Sequence, residues 1–235
     1  MEEHILDWSF VPDRIKTIKE SLPEGVTLVA VSKTHPAAAI QAAYDAGQRV
    51  FGENKVQEMT AKYNELPKDI EWHFIGHVQK NKIRQMAPYV SMIHGIDSYD
   101  ALAETNRQAE KNGRVIDCLL QLHVAAEETK FGFAPEECTA MLEEGRWREL
   151  KNVRICGVMG MATNTDDEQR IRQDFQAIYD FYTQAKARFF ADADWFSRIS
   201  AGMSGDYEIA VCTGCNIVRI GSNIFGQRYY PEKSK

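Results

Sequence analysis

The sequence lacks long apolar runs and dense clusters of basic residues. No stretch approaches 18 consecutive apolar residues, and the acidic start MEEHILDWSF has neither the basic residues nor the apolar core of a secretory signal. Lysines and arginines are scattered and the formal net charge is −6, so the basic surface typical of nucleic-acid binding is missing. We therefore expect a cytoplasmic protein without membrane or nucleic-acid partners, whose ligands are small molecules.

Residues that form disulfides or bind metals are few and poorly spaced. The cysteines number five, which is odd, and two lie in apolar runs where a free thiol packs as a small hydrophobe. Cys212 and Cys215 form one CxxC before a predicted strand, which chance or a surface thiol pair explains better than redox chemistry. His73 and His77 flank Gly76 without a third ligand at suitable spacing. We expect neither a disulfide framework nor a metal site.

Apolar, β-branched runs of strand length alternate with segments of helical periodicity along the chain. The runs are VTLVAVS, QRVFGEN, EWHFIG, SMIHGID, VIDCLLQLHV, VRICGVMGMA, WFSRISAG and NIVRIGSNIFG. One more helix, roughly Asp7 to Ser21, precedes the first run. Strict alternation favours parallel strands with right-handed crossovers, and eight units in about 250 residues is the size of a (β/α)8 barrel. An open doubly wound sheet is the alternative.

No segment rich in proline, glycine and serine divides the chain. Helices and strands account for nearly every residue up to the basic tail at 233–235. We therefore expect residues 1–235 to form a single domain, a TIM-type barrel with an extra N-terminal helix.

Lys33 directly follows the first apolar run, at the end of a barrel strand where active sites form. One explanation is a lysine whose stem covers apolar surface while its amine reaches water. The other is a lysine that forms a Schiff base, which requires a neutral amine. Free lysine has a pKa of about 10.4, so such a site must desolvate the amine or place a cation beside it. Arg219, on the strand that neighbours the first in a closed barrel, is the candidate cation.

The loops after strands seven and eight have the composition of a phosphate site. Ser204 is predicted to cap a short helix, whose exposed N–H groups and dipole would attract an anion. Gly221 and Ser222 lie at the equivalent depth on the next strand, and barrels often hold phosphate between these two loops. Gly202 and Gly221 are alternatively explained as residues of tight turns. Their position beside Lys33 favours the phosphate site.

Two further polar features have more than one explanation. Asn54, after the second strand, is predicted either to donate to a ligand or to cap the next helix. The charged segment Glu127–Lys130 is best explained as a solvated loop, because charged residues between apolar runs usually face water.

Five motifs occur in order along the chain. They are Ala30-Val31-Ser32-Lys33-Thr34; Phe51-Gly52-Glu53-Asn54 with Val56-Gln57-Glu58; Trp72-His73-Phe74-Ile75-Gly76 with Gln79, Asn81 and Lys82; Gly202-Met203-Ser204 with Asp206; and Val218-Arg219-Ile220-Gly221 with Phe225-Gly226. With them the sequence closely resembles the pyridoxal phosphate homeostasis proteins, which are related to the barrel domain of alanine racemases. The resemblance spans about residues 26–226, the expected core of the domain. The chain departs from the family pattern at Cys212–Cys215, where small or hydroxyl residues are usual, which puts any special role of that loop in doubt.

The resemblance implies a bound cofactor, pyridoxal 5′-phosphate (PLP), held as a Schiff base on Lys33. It also implies that Arg219 faces the pyridine nitrogen, and that Ser204 holds the phosphate with nearby backbone groups. The implied cofactor-binding residues are Lys33, Asn54, Ser200, Met203, Ser204, Arg219, Gly221 and Ser222. No residue is implied to be catalytic.

The function implied by the resemblance is PLP and vitamin B6 homeostasis in the cytoplasm, with PLP-dependent apo-enzymes as candidate recipients. We expect a monomer. One alternative is a PLP enzyme such as a racemase, but alanine racemases use a C-terminal β domain and a partner subunit, and nine residues follow Gly226 here. We therefore expect that domain to be absent. A Schiff-base aldolase acting on a phosphorylated sugar is the second alternative, and it would be colourless.

Overall fold

Eight parallel strands close into a barrel in the computed structural model, which describes residues 7–127 and 131–227. The strands are β1 (Thr27–Val31), β2 (Val50–Glu53), β3 (Glu71–Phe74), β4 (Met92–Ile96), β5 (Ile116–Gln121), β6 (Val153–Met159), β7 (Arg198–Ser200) and β8 (Ile217–Ile220). Each pairs with its successor, and β8 pairs with β1. The barrel is confirmed, and the open sheet is excluded.

Helices connect successive strands around the outside of the barrel. They are α1 (Val11–Ser21), α2 (Ala37–Asp45), α3 (Val56–Glu65), α4 (Lys80–Met86), α5 (Tyr99–Lys111), α6 (Pro135–Glu144), α7 (Glu168–Phe189), α8 (Tyr207–Cys212) and α9 (Ser222–Phe225). The extra N-terminal helix is confirmed as α1, which begins at Val11 with a proline in its first turn. None of the described helices is long and apolar enough to cross a membrane.

Apolar side chains fill two layers, one between strands and helices and one inside the barrel. The inner layer consists of Val29, Met92, Leu119, Cys156, Met159 and Ile217. Fully burying a large apolar side chain contributes about 1.5–3 kcal/mol, so these layers supply the main driving force for closure. Gly157 lies within β6, where the strand pairs with Arg198 of β7. Glycine is required there, because its φ is +153° and a Cβ would lie 1.8 Å from the carbonyl oxygen of Arg198.

The eighth apolar run is only partly a strand. The strand β8 ends at Ile220, at the expected strand end before Gly221 and Ser222, and the rest of the run forms α9. The backbone N–H groups of Ile224 and Phe225 donate to the carbonyl oxygen of Gly221, which closes the helical turn and buries both side chains. Residues 128–130 of the predicted solvated loop, and the tail at 233–235, lie outside the described residues.

Candidate functional site

A cavity of about 250 Å³ opens at the carboxyl ends of the barrel strands. It is lined by Val31, Lys33, His35, Ile75, Met161, Met203, Ser204, Gly205, Arg219, Gly221 and Ser222. Six of the predicted site residues therefore meet there: Lys33, Met203, Ser204, Arg219, Gly221 and Ser222. Asn54 and Ser200 are not part of this lining.

The loops after β7 and β8 are joined by hydrogen bonds at the mouth of the cavity. The Ser204 hydroxyl accepts from the Gly221 N–H (3.2 Å), and the Asn223 side-chain amide donates to the Ser204 carbonyl (2.9 Å). Gly202 has φ +88°, and a Cβ there would lie 2.8 Å from Tyr207 Cα, so only glycine fits. This bond places the Ser204 hydroxyl beside the Gly221 backbone, where its own O–H can donate to a phosphate.

Two expected helix caps are made by other residues. The prediction that Ser204 caps the short helix is wrong: α8 begins at Tyr207 after the N-cap Asp206. A turn intervenes, in which the Asp206 carboxylate accepts from the Met203 N–H (2.6 Å) and Asp206 N–H donates to the Met203 carbonyl (3.1 Å). The N-cap of α3 is Lys55, which excludes Asn54 from that role. Ser204 therefore lines the cavity from the turn before α8 instead of capping that helix.

Arg219 is a buried cation in the wall of the cavity. Its Nη1 donates to Ser200 Oγ (2.7 Å) and its Nη2 donates to the Gly160 carbonyl (3.0 Å). Burial lowers the pKa of Arg219 from 12.5 to about 10, so the guanidinium stays charged at neutral pH. A guanidinium has five N–H groups, so donors remain for a ligand. Lys33 lines the same cavity.

Behind Arg219, a chain of hydrogen bonds crosses the interior of the barrel. His94 Nδ1 lies 2.9 Å from Ser200 Oγ, and His94 Nε2 lies 3.0 Å from His73 Nδ1. All four side chains are buried, with exposed fractions of 5% or less. Sequence reasoning missed His94, although a histidine inside the apolar run SMIHGID was a usable signal. Ser200, expected in the pocket, instead links Arg219 to this chain.

The two histidines in this hydrogen-bond chain, His73 and His94, are neutral at pH 7. Burial lowers the pKa of His73 to about 4 and holds the pKa of His94 well below its usual 6.5. A neutral imidazole has one donor and one acceptor nitrogen. Because Ser200 Oγ accepts from Arg219, the Ser200 hydroxyl proton is directed to His94 Nδ1. His94 Nε2–H then donates to His73 Nδ1. The bonds run in one direction and fix the Arg219 guanidinium in the cavity wall.

We expect acid to destabilise the protein through these histidines. Below pH 6.5 the unfolded chain takes up protons that folded His73 refuses until about pH 4, so the free energy of unfolding falls as pH decreases across this window. The contribution of His73 is about 3 kcal/mol. Urea unfolding at about pH 7 and about pH 4 measures most of it, because the loss continues down to the folded pKa.

The His73→Gln variant tests this assignment, because glutamine keeps a donor and an acceptor but does not titrate. It should lose less stability on acidification than the wild type. The matched control is His77→Gln, at a half-exposed site where Nδ1 lies 3.0 Å from Asp97 Oδ2. Equal acid sensitivity of wild type and His73→Gln would contradict the prediction.

Other residues considered from the sequence lie apart from the cavity. His77 stacks on Phe131, with ring centroids 3.8 Å apart, and is separate from the buried His73. Within the described ranges, no three His, Cys, Asp or Glu side chains form a group that could hold a metal. Cys212 is exposed and Cys215 is buried, and burial raises the pKa of Cys215 to about 12. A thiol that remains protonated is a poor redox nucleophile.

Known proteins share this barrel along most of its length. The family described as "Alanine racemase, N-terminal domain" matches residues 7–229. A pyridoxal phosphate homeostasis protein of Aquifex aeolicus is 35% identical over 226 residues, covering 94% of this chain and 97% of the relative. PipY of Synechococcus elongatus, solved with PLP bound, is 34% identical with a TM-score of 0.83, covering 92% of this chain and all of PipY.

The barrel and the lysine at its mouth define the class, that of the alanine racemase N-terminal domain. Alanine racemase of Streptomyces coelicolor shares the fold at 17% identity with a TM-score of 0.74, and the match covers 94% of this chain and 58% of the racemase. Within the class, identity and coverage are decisive: the chain belongs to the family of pyridoxal phosphate homeostasis proteins.

The residues in the cavity fit the group that this family is named for. An aldehyde needs an amine, and Lys33 is in the lining. A phosphate needs donors and close backbone approach, and Ser204, Ser222 and Gly221 supply both. A Cβ at Gly221 would lie 3.1 Å from the Val31 carbonyl, so a larger side chain would crowd this corner. These residues would hold the aldehyde and phosphate ends of PLP.

Proposed function

We propose that this protein binds PLP as a Schiff base on Lys33 and takes part in intracellular PLP homeostasis without catalytic turnover. The observation that carries the proposal is one cavity lined by Lys33, Arg219 and the Ser204–Gly221 pair. The names of the relatives and PLP-bound PipY support it. The chain is proposed to be a single PLP-binding domain, residues 1–235.

Each part of the cavity has a separate task in this proposal. When bound, PLP supplies an aldehyde that reacts with amines and a ring that withdraws electrons. Lys33 provides the amine for the covalent bond. Ser204, Ser222 and the backbone near Gly221 hold the phosphate, whose charge the N–H donors compensate. Arg219 would face the ring nitrogen, with its guanidinium held by hydrogen bonds to Ser200 and Gly160.

Two of the predicted cofactor-binding residues, Asn54 and Ser200, lie outside the cavity lining. We propose that Ser200 acts through Arg219, since its hydroxyl accepts from that guanidinium. We propose that Asn54, which follows β2, also contacts the bound cofactor.

An absorption spectrum tests the proposal directly. We expect purified protein mixed with PLP to be yellow and to become colourless with borohydride, while the mass increases by one reduced pyridoxyl phosphate group. A protein that stays colourless with PLP but forms a borohydride-stable adduct with a phosphorylated sugar would favour the aldolase. Absence of both adducts would contradict the covalent role of Lys33.

We expect negligible exchange of amino-acid α-protons in the PLP-loaded protein. Arg219 cannot accept a hydrogen bond from a protonated pyridine and stays charged, so it disfavours the protonated ring that withdraws electrons best. The titratable residues in the cavity lining are Lys33, His35 and Arg219. His35 packs between the rings of Trp8 and Phe225. A well-placed general acid or base contributes about 10²–10⁴-fold to the rate of proton transfer, so His35 is the residue to test as a second base.

Incubation with L- and D-amino acids in deuterated water, followed by NMR, measures this exchange. Free PLP at the same concentration is the control, because it catalyses slow exchange without protein. Rapid exchange that disappears in Lys33→Ala would overturn the carrier proposal in favour of a racemase-like enzyme. Exchange lost only in His35→Asn would identify the second base.

The wider setting of the protein is proposed on the same basis. We propose a cytoplasmic monomer in vitamin B6 metabolism that passes PLP to PLP-dependent apo-enzymes. Mixing PLP-loaded protein with an apo-enzyme in the presence of a scavenger of free PLP would test delivery. Direct transfer would restore the activity of the apo-enzyme despite the scavenger. Sedimentation analysis would test the monomer.

A further inference from the structure

The turn that carries Lys33 has an unusual backbone. Thr34 has φ +69°, the single positive value among the non-glycine residues that the structure describes. A β-branched residue is strained in this region, and such strain persists only where surrounding contacts enforce it. The residues that enforce it lie on β2 and α3.

Three ionisable side chains, Glu53, Glu58 and Lys62, contact the turn from β2 and α3, and we name them the lysine clamp. Lys62 Nζ donates to the Ser32 carbonyl (2.8 Å), to Glu53 Oε1 (2.7 Å) and to Glu58 Oε1 (2.7 Å). Glu53 Oε1 also accepts from the Ser32 hydroxyl (2.7 Å). Glu58 Oε1 accepts from the Thr34 N–H (2.6 Å). The residues on both sides of Lys33 are therefore tied to one buried ammonium.

The lysine clamp is buried well enough to be stiff. The exposed fraction of the Lys62 side chain is 7%, that of Glu53 is 0% and that of Glu58 is 24%. Buried charge pairs are weakly screened by water and salt, so their hydrogen bonds define geometry strictly. Lys62 lies outside the cavity lining, and its three acceptors occupy the three N–H bonds of an ammonium. It is therefore not a competing site for the cofactor.

We propose that Lys62 is a positioning residue, which holds the Ser32–Thr34 turn so that the Lys33 amine points into the cavity. This inference rests on the proposed function, because it concerns the reaction of Lys33 with the aldehyde. In that step the amine nitrogen bonds to the aldehyde carbon, and the aldehyde oxygen leaves as water with two protons from the amine. Correct orientation of a reacting group increases the reaction rate by orders of magnitude, and small displacements of the group lose much of that increase.

Two measurements on Lys62→Met test the proposal. The first is the rate at which the protein captures PLP covalently, trapped with borohydride at set times. The second is the affinity for pyridoxine 5′-phosphate, which has an alcohol in place of the aldehyde and needs only the ring and phosphate contacts. We expect capture to slow by about tenfold or more, with the affinity nearly unchanged. The matched control is Lys80→Met, an exposed lysine paired with Asp100.

A rescue variant separates aim from general stability. Glycine adopts positive φ without strain, so Thr34→Gly in the Lys62→Met background should recover part of the capture rate. Glu58→Gln keeps an acceptor for the Thr34 N–H and should capture faster than Glu58→Leu, which keeps none. The two Glu58 variants retain Lys62, so they test the same contact if Lys62→Met does not fold.

The outcomes are distinct. Capture by Lys62→Met at the wild-type rate would overturn the positioning role, and so would a parallel loss of capture and of pyridoxine 5′-phosphate affinity without rescue by Thr34→Gly. Wild-type protein that captures no PLP at all would instead overturn the proposed function on which this inference rests.

Discussion

Lys33→Ala should abolish covalent capture of PLP entirely. Lys33 is the lysine in the cavity lining, on the loop after β1 and in the same cavity as Ser204 and Arg219. Alanine has no amine, so no borohydride-stable bond can form at this position. Peptide mapping of the reduced wild-type protein should place the pyridoxyl group on Lys33.

The same variant should still bind PLP weakly through the phosphate loops, because Ser204 and Gly221 are unchanged. Equilibrium dialysis measures this remaining affinity. A mapped label on Lys55, Lys80 or Lys130, with Lys33→Ala still holding the cofactor covalently, would contradict the assignment. Lys80→Ala is the matched control and should capture PLP as the wild type does.

Ser204→Ala should weaken PLP binding through the phosphate, not through the ring. Ser204 lines the cavity and its hydroxyl accepts from the Gly221 N–H, so on the proposed function the variant loses one hydrogen bond to the charged phosphate. Such a bond is worth roughly 1.5–3 kcal/mol, or about ten- to more than a hundredfold in affinity. A larger residue at Gly221 should weaken binding as well, since its Cβ would lie 3.1 Å from the Val31 carbonyl.

Pyridoxal, which lacks the phosphate, distinguishes this explanation from a general disturbance of the cavity. Its affinity should be nearly equal in wild type and Ser204→Ala, whereas that of PLP should fall. An equal loss for both compounds would mean that the phosphate site lies elsewhere. Ser197→Ala, at the opposite end of β7, is the control and should leave both affinities unchanged.

The buried polar groups explain why the cavity has a definite shape. Arg219 is fixed by Ser200 and Gly160, and the Lys33 turn is fixed by Lys62. Polar side chains in a low-dielectric interior are costly unless they are hydrogen-bonded, so a satisfied network allows few alternative arrangements. A rigid cavity reduces the entropy lost when a cofactor binds.

Alternating apolar and helical segments were sufficient to predict the barrel, including its closure and its N-terminal helix. The reason is local: strand and helix periodicities are written into consecutive residues, and parallel crossovers allow few topologies. Lys33 and the residues near Ser204 and Gly221 could be assigned to one end of the barrel, because they follow the strands directly. The helical turn after β8 could not be predicted from apolar pattern alone, since a helical turn buries Ile224 and Phe225 just as a strand would bury them.

Contacts between distant residues needed the tertiary structure. His94 and Ser200 are 106 positions apart in sequence, and Lys62 and Ser32 are 30 apart, yet each pair is joined by a hydrogen bond. The sequence by itself determined the strand order and the polar residues at the strand ends, because these depend on local periodicity. Only the folded barrel decided which side chains face the cavity and which support it from behind, because strand twist and register bring their atoms within bonding distance.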